Sequence, residues 1–268
     1  MKVQLSLACF PGLHVLEAAA AAASQASAGT LTEPGLGELG LQDVQLVPQN
    51  LGLLDEVVVD GVQALLPNSR LRLHANVRLL DKHRFADLAR FERDSDWWAR
   101  AAQLSRHLGC ASWSAHSGAR ADCSLAQLLD NTRRANDLMG GACRVAVEGQ
   151  YPTSGDRLLV SHWAEYEELL GAQDVDFAID LSHLNIVVRH HGRQDALVRE
   201  LLRSPRCAEV HLSANDGRTD AHRTVDSVDV WWMPMLADIH RRAVVFSEGN
   251  RLRASPSHPS PTATSQQH

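Results

Sequence analysis

The stretch Phe177–His183 reads FAIDLSH. Four residues of mostly apolar, strand-like character end in Asp180, and His183 follows three positions later. The same grammar recurs along the chain. LRLHAN ends on His74, SWSAHSG on His116, RVAVEGQ on Glu148, AEVHLSAN on His211 and AVVFSEGN on Glu248. A further pair, Asp220 and His222, sits in NDGRTDAH just after His211. Side chains at the ends of successive strands meet only if the strands close into a parallel barrel, whose C-terminal rim then carries the site.

Working outward, the apolar runs alternate with helical patterns. Strands are expected at Val3–Cys9, Val44–Val47, Leu71–His74, Ser112–His116, Arg144–Glu148, Phe177–Leu181, Ala208–Leu212 and Ala243–Ser247. Helices are expected at Leu16–Ala28, Glu56–Leu66, Asp94–Leu108, Ser124–Met139, Ser161–Leu170, Gln194–Leu202 and Val230–His240. Gly29–Gly40 reads as loop. Such alternation implies a parallel sheet, and eight strands imply one α/β domain, a single (β/α)8 TIM barrel over residues 1–253. An open doubly wound sheet would offer a glycine-rich phosphate loop after its first strand; CFPGLH at 9–14 is not one. The Ser/Pro/Thr-rich segment 254–268 is expected to be disordered.

Composition sets further bounds. The chain has 268 residues, 44% hydrophobic, with net charge −6, which suits one domain with a large core. Two lysines, Lys2 and Lys82, and no basic block argue against a nucleic-acid partner. Five scattered cysteines without a CxxC fit reduced thiols and a cytoplasmic protein. No apolar run approaches the roughly 18 residues of a membrane span. MKVQLSLACF reads as a first strand interrupted by Pro11-Gly12 rather than as a signal peptide.

The rim residues carry the chemistry. His74, His116, Glu148, Asp180, His183, His211, Asp220, His222 and Glu248 are ligand types for divalent Mn, Fe, Zn, Co or Mg. One catalytic ion takes three or four protein ligands and keeps an open position, so this set has room for one to three ions. Glu148, Asp180, His211 and Glu248 form one carboxylate-rich shell; His183 is also a candidate proton shuttle. Asn50, Arg218, Arg223 and Trp231 are candidate substrate contacts. Trp97 and Trp98 read as helix-face packing, and His190–His191 as a solvated loop.

The order His, His, Glu, Asp-x-x-His, His, Asp-x-His, Glu resembles the xylose isomerase-like TIM barrels, from about the second strand to Glu248. These include sugar and sugar-phosphate isomerases and epimerases and the endonuclease IV family. The nuclease resemblance implies three zinc ions on the nine residues named above. The isomerase resemblance implies a single ion on Glu148, Asp180, His211 and Glu248, with Glu148 and Glu248 as the acid/base pair. VPQNLG (47–52), LHAN (73–76) and DAHRTVDSVDVWW (220–232) resemble a third branch, the DUF692 multinuclear non-heme iron enzymes that oxidatively modify cysteine-containing peptides. DLSH departs from that branch, which usually has Asp-x-Asn-Asn, and HLSAN departs where it usually has a second His. The expectation is therefore a metal-dependent enzyme. Its leading reaction is isomerisation or epimerisation of a sugar-like substrate by proton transfer. Oxidation of a short peptide and phosphoester hydrolysis are the alternatives. A homodimer is compatible with the fold.

Overall fold

The computed structural model describes residues 2–227 and 229–252; the expectation for 254–268 lies outside them. Eight parallel strands form the barrel: β1 Gln4–Ser6, β2 Gly40–Leu46, β3 Arg70–Leu73, β4 Ser112–His116, β5 Arg144–Glu148, β6 Phe177–Asp180, β7 Cys207–Leu212 and β8 Val244–Ser247. Their order is β3-β2-β1-β8-β7-β6-β5-β4. No ladder joins β3 to β4 among the described residues. Arg72 of β3 crosses that seam instead, donating through Nη1 to the Ser112 hydroxyl of β4 at 2.7 Å. The helices are α1 Val15–Ser27, α2 Glu56–Leu65, α3 Ser95–Leu108, α4 Leu125–Leu138, α5 Trp163–Gly171, α6 Leu181–His191 and α7 Asp195–Arg203. None of them is long and apolar enough to cross a membrane.

Four elements differ from the sequence expectation, each for a local reason. The first strand stops at Ser6, whose hydroxyl accepts from Ala8 N and starts a 3-10 turn over Leu7–Cys9. Gly29–Gly40, expected as loop, holds a short antiparallel hairpin, Thr32–Glu33 with Gly37–Glu38. His190 and His191 end a helix rather than sit in a loop. Asp180 caps that helix through Ser182 N at 2.6 Å and His183 N at 3.1 Å, so α6 begins directly after β6. Over Val230–His240 only a 3-10 stretch forms, Met233–Asp238, with Pro234 in its first turn.

Strand alternation separates two environments. Outward residues pack on the helices. Trp113 of β4 stacks on Trp98 of α3 with ring centroids 5.7 Å apart, and Trp97 meets Trp98 edge-on at 5.1 Å. Trp113 Nε1 donates to Ser105 Oγ and Trp97 Nε1 to Val77 O, each at 3.1 Å. This confirms the helix-face packing read for the tryptophan pair. Inward positions of β2, β3 and β7 are polar instead. Arg72 lies between Asp43 at 3.0 Å and Glu209 at 3.4 Å, all three nearly inaccessible. The barrel interior is thus an ion-paired layer beneath the rim rather than a plain apolar plug.

Trp113→Ala should destabilise the fold by about 3–5 kcal/mol, the usual range for emptying a large aromatic site. Urea unfolding followed by circular dichroism reads this as a lower midpoint; an unchanged midpoint would contradict the packing role.

Candidate functional site

The alternation that points Arg72 inward also points His74 inward, one residue past the end of β3. Likewise His116 follows Ser112 and Ser114, Glu148 follows Arg144 and Ala146, Asp180 follows Ala178, and His211 follows Glu209 on its strand. Glu248 comes just after β8. All six therefore reach the same end of the barrel. There five of them line a cavity of about 120 Å³ together with His183, Asp220, His222, Gln49, Gln150 and Tyr151; His211 is fully buried and does not line it.

Glu148 is the centre of the cluster, with only 1% of its surface accessible. Its carboxylate lies 3.3 Å from His74 Nε2, 3.6 Å from His211 Nδ1, 3.8 Å from His116 Nε2 and 3.9 Å from His183 Nδ1, and it accepts from Ser114 Oγ at 3.0 Å. Glu248 approaches two of the same imidazoles, His74 at 3.6 Å and His211 at 3.7 Å. Asp220 bridges His183 at 3.4 Å and His222 at 2.9 Å, and His222 Nδ1 returns to Glu248 at 3.6 Å. Donor atoms of three overlapping triads lie within 4.8 Å of one another: His74/Glu148/His211, Glu148/Asp180/His183 and Asp180/His211/Glu248.

A second layer aims these side chains. Asn76 Nδ2 lies 3.0 Å from His116 Nδ1 and donates to Asp87 Oδ1 at 3.0 Å. Gly149 O lies 2.9 Å from His183 Nδ1, and Glu209 and Gln45 lie 3.4 and 3.1 Å from His211 Nε2. Such partners fix ring orientation and tautomer. Asn76, Asp87, Gln45 and Glu209 escaped the sequence reading, because nothing in their spacing marks them; LHAN and AEVH do place Asn76 and Glu209 two residues from a candidate ligand.

The electrostatics show a demand for positive charge. Burial drives Glu148 upward, yet the imidazoles of His211, His74 and His116 hold it well below the usual carboxylate range. Burial raises Asp180 to about 6, with Asp220 and Glu248 adding to the shift and His183 opposing it. Burial opposes charge on His183 and His222, but Asp180 and Asp220 raise the first to about 10, and Asp220 with Glu248 raises the second to about 9. Imidazolium protons thus balance the carboxylates. Divalent cations balance them equally well, displacing those protons as they bind.

The donor set fits such cations on an independent count. His211 Nδ1, His222 Nδ1 and Glu248 Oε1 are buried and have no hydrogen-bond partner, and all three face the same space. Buried polar atoms without partners are costly, and cations bound beside them would satisfy them.

The candidate substrate contacts stand apart from the cavity. Asn50 is buried beside it, but its amide donates to Leu7 O at 3.3 Å and Phe10 O at 2.9 Å; its neighbour Gln49 lines the cavity. Arg218 and Arg223 are exposed. Trp231 donates to Asn185 Oδ1 at 2.9 Å under the Arg193 guanidinium. Tyr151, which the sequence did not single out, lies over the His183 ring at 4.7 Å.

No family model and no curated protein matches the chain. Solved structures do. An AP endonuclease of family 2 from Brucella melitensis superposes with a TM-score of 0.64 at 16% identity, over 94% of each chain. D-allulose 3-epimerase from Methylomonas sp. superposes with a TM-score of 0.63 at 14% identity, over 94% of this chain and 87% of that one. A fusion of a xylose isomerase-like TIM barrel with 4-hydroxyphenylpyruvate dioxygenase gives 0.59 at 15% identity, over 96% of this chain and 40% of that one. With eight parallel strands, their site at the C-terminal rim and these neighbours, the chain has the xylose isomerase-like (β/α)8 barrel fold.

Proposed function

We propose that this chain is a metal-dependent enzyme whose rim would take two or three divalent ions, with Glu148 belonging to two of the ligand sets. The observation that supports this is the set of four imidazoles within 3.3–3.9 Å of one buried carboxylate. One ion takes three or four protein ligands, and this rim offers more than twice that. Glu148, Asp180, His211 and Glu248 would hold one ion. His74 and His116 would hold a second with Glu148, and His183, Asp220 and His222 a third.

The wall of the cavity narrows the reaction. Among the described residues no arginine or lysine lines it, so a phosphate group would meet only imidazoles and the bound ions there, which gives sugar phosphates and nucleic acid less support. A mixed imidazole and carboxylate set without thiolate suits iron(II), manganese or zinc, and iron in such a set supplies dioxygen activation. The excess of ligands over one ion's need favours oxidative chemistry on a small substrate without a phosphate over the isomerisation that led the sequence expectation. The resemblance carried by VPQNLG, LHAN and DAHRTVDSVDVWW supports a short cysteine-containing peptide. In this reading the chain's own groups set geometry. Gly149 O holds the His183 Nδ1 proton, Glu209 holds the His211 Nε2 proton, and Asn76 with Asp87 orients His116. His183 Nε2 and His211 Nδ1 are thereby left facing the centre, and His116 would bind an ion through Nε2 with its Nδ1 proton turned to Asp87.

A second reading, isomerisation or epimerisation of a neutral sugar, has its own observation. Glu148 and Glu248 both approach His74 and His211, so two carboxylates face a common space. Such a pair can remove a proton beside a carbonyl and return it, with His183 as a proton carrier. The epimerase neighbours support the same chemistry.

Metal content of protein purified without oxygen and without added metal separates the readings. Two or three irons per chain, with oxygen uptake in the presence of a cysteine-containing peptide, are expected. One Mn, Co, Mg or Zn per chain, with conversion of a free ketohexose, would replace the lead by the isomerase. Glu148→Ala should lose at least one ion by the same assay. Glu248→Gln should cut turnover by about 10²–10⁴-fold while the far-UV spectrum is unchanged; retained turnover would remove Glu248 from the machinery. Refilling the chelated protein with metal at a hundred times Kd should add about 2.7 kcal/mol, or roughly 5–10 °C in Tm for a barrel of this size. A Tm indifferent to metal would contradict the site.

A further inference from the structure

Glu33 lies in the short hairpin after α1 and has no accessible surface. Burial raises the pKa of Glu33, and one hydrogen bond to each of its oxygens offsets part of that cost. One oxygen accepts from Val225 N, the other from the Ser247 hydroxyl. Val225 lies three residues after His222, and Ser247 immediately precedes Glu248. The two partners therefore belong to the two segments that bring His222 and Glu248 to 3.6 Å from each other.

The contact surface around Glu33 is tight on every side. Gly35 N donates to Val225 O at 2.6 Å, and a Cβ at Gly35 would stand 2.6 Å from that oxygen. A Cβ at Gly249 would stand 2.8 Å from Thr224 Cα and 3.1 Å from Glu33 Oε1. Arg251 fastens the hairpin from outside, through Thr32 O at 2.6 Å and Thr30 O at 3.0 Å. His222 itself has φ +42°, a left-handed backbone that a histidine holds only when its surroundings impose it. Asn250 N donates to His222 O at 2.7 Å, and Ala214 and Arg223 exchange backbone bonds at 2.8 and 2.9 Å. The Glu33 carboxylate adds a side-chain tie from inside to these backbone ties and to the outer tie from Arg251.

We infer that Glu33 is a positioning residue for the metal centre: its carboxylate clamps the Asp220–His222 loop to the end of β8, so that His222 and Glu248 are held in place in adjoining ligand sets. The inference rests on the metal-dependent reading above and assigns a role to a residue far from the rim in sequence. A residue that merely stabilised the hairpin would leave metal uptake unchanged in a folded variant.

The test is metal uptake by chelated protein refilled anaerobically with Fe(II), and in parallel with Mn(II), for wild type, Glu33→Leu, Glu33→Gln and His222→Ala. Glu33→Leu is expected to lose the same ion as His222→Ala, or to bind it at least tenfold more weakly. Glu33→Gln keeps an acceptor for Val225 N and a donor to the Ser247 oxygen, and is expected to restore uptake. A folded Glu33→Leu with wild-type stoichiometry and affinity would overturn the inference. Should Glu33→Leu fail to fold, Ser247→Ala removes one donor from the carboxylate; tenfold weaker uptake is expected, and unchanged uptake would overturn it. A wild type that takes one ion would refute the multinuclear reading and leave this comparison intact, read as the affinity of that ion, since Glu248 belongs to its shell as well. A wild type that takes none would overturn both.

Discussion

A carboxylate cannot stay charged in a closed protein interior without positive charge beside it, and Glu148 is such a carboxylate. It sits at the end of β5 with 1% of its surface accessible, and the side chains around it are arranged as its answer. Four imidazoles from four different elements face it. Three of them are in turn held from behind: His116 by Asn76 and Asp87, His183 by Gly149 O, and His211 by Gln45 and Glu209. The polar layer below extends this logic inward, since Glu209 is shared between His211 and Arg72, and Arg72 is shared with Asp43. Rim and barrel interior are one electrostatic system rather than a site placed on an inert core.

That system also explains where the barrel is fastened. Among the described residues no ladder closes the β3–β4 edge, and the Arg72 side chain reaches over it to Ser112. On the opposite side of the sheet order, the hairpin after α1 lies over the end of β8 and the loop after β7 and ties both through Glu33. In the outer shell, Trp97, Trp98 and Trp113 fill the space between α3 and β4, two of them anchored by an indole hydrogen bond.

Much of the fold could be read from the chain because short apolar runs of parallel strands alternate with amphipathic helices. The ligand-type residues could be read for a related reason. An ending such as VAVE148 or AID180 puts a charged side chain where an apolar one would otherwise continue the strand. α6 was missed because Asp180 has two roles in one position, strand end and helix cap, and the second depends on backbone amides that only the fold brings to it. The hairpin was missed because its two strands have two residues each, too few for a period to show.

The sequence by itself determined the alternation of strand and helix, the ligand types at the strand ends and their order along the chain. Those are properties of local spacing, in which a period of two decides which side chains share a face. Only the tertiary structure decided which of them meet. It brought His74 to Glu148 across 74 residues of chain, set Asn50 to bonding backbone while Gln49 lines the cavity, and left Arg218 and Arg223 exposed. It also gave Glu33 its two partners, about 190 and 210 residues away. Distance along the chain carries no information about such meetings, because they are fixed by barrel closure and by the need of each buried charge for a partner.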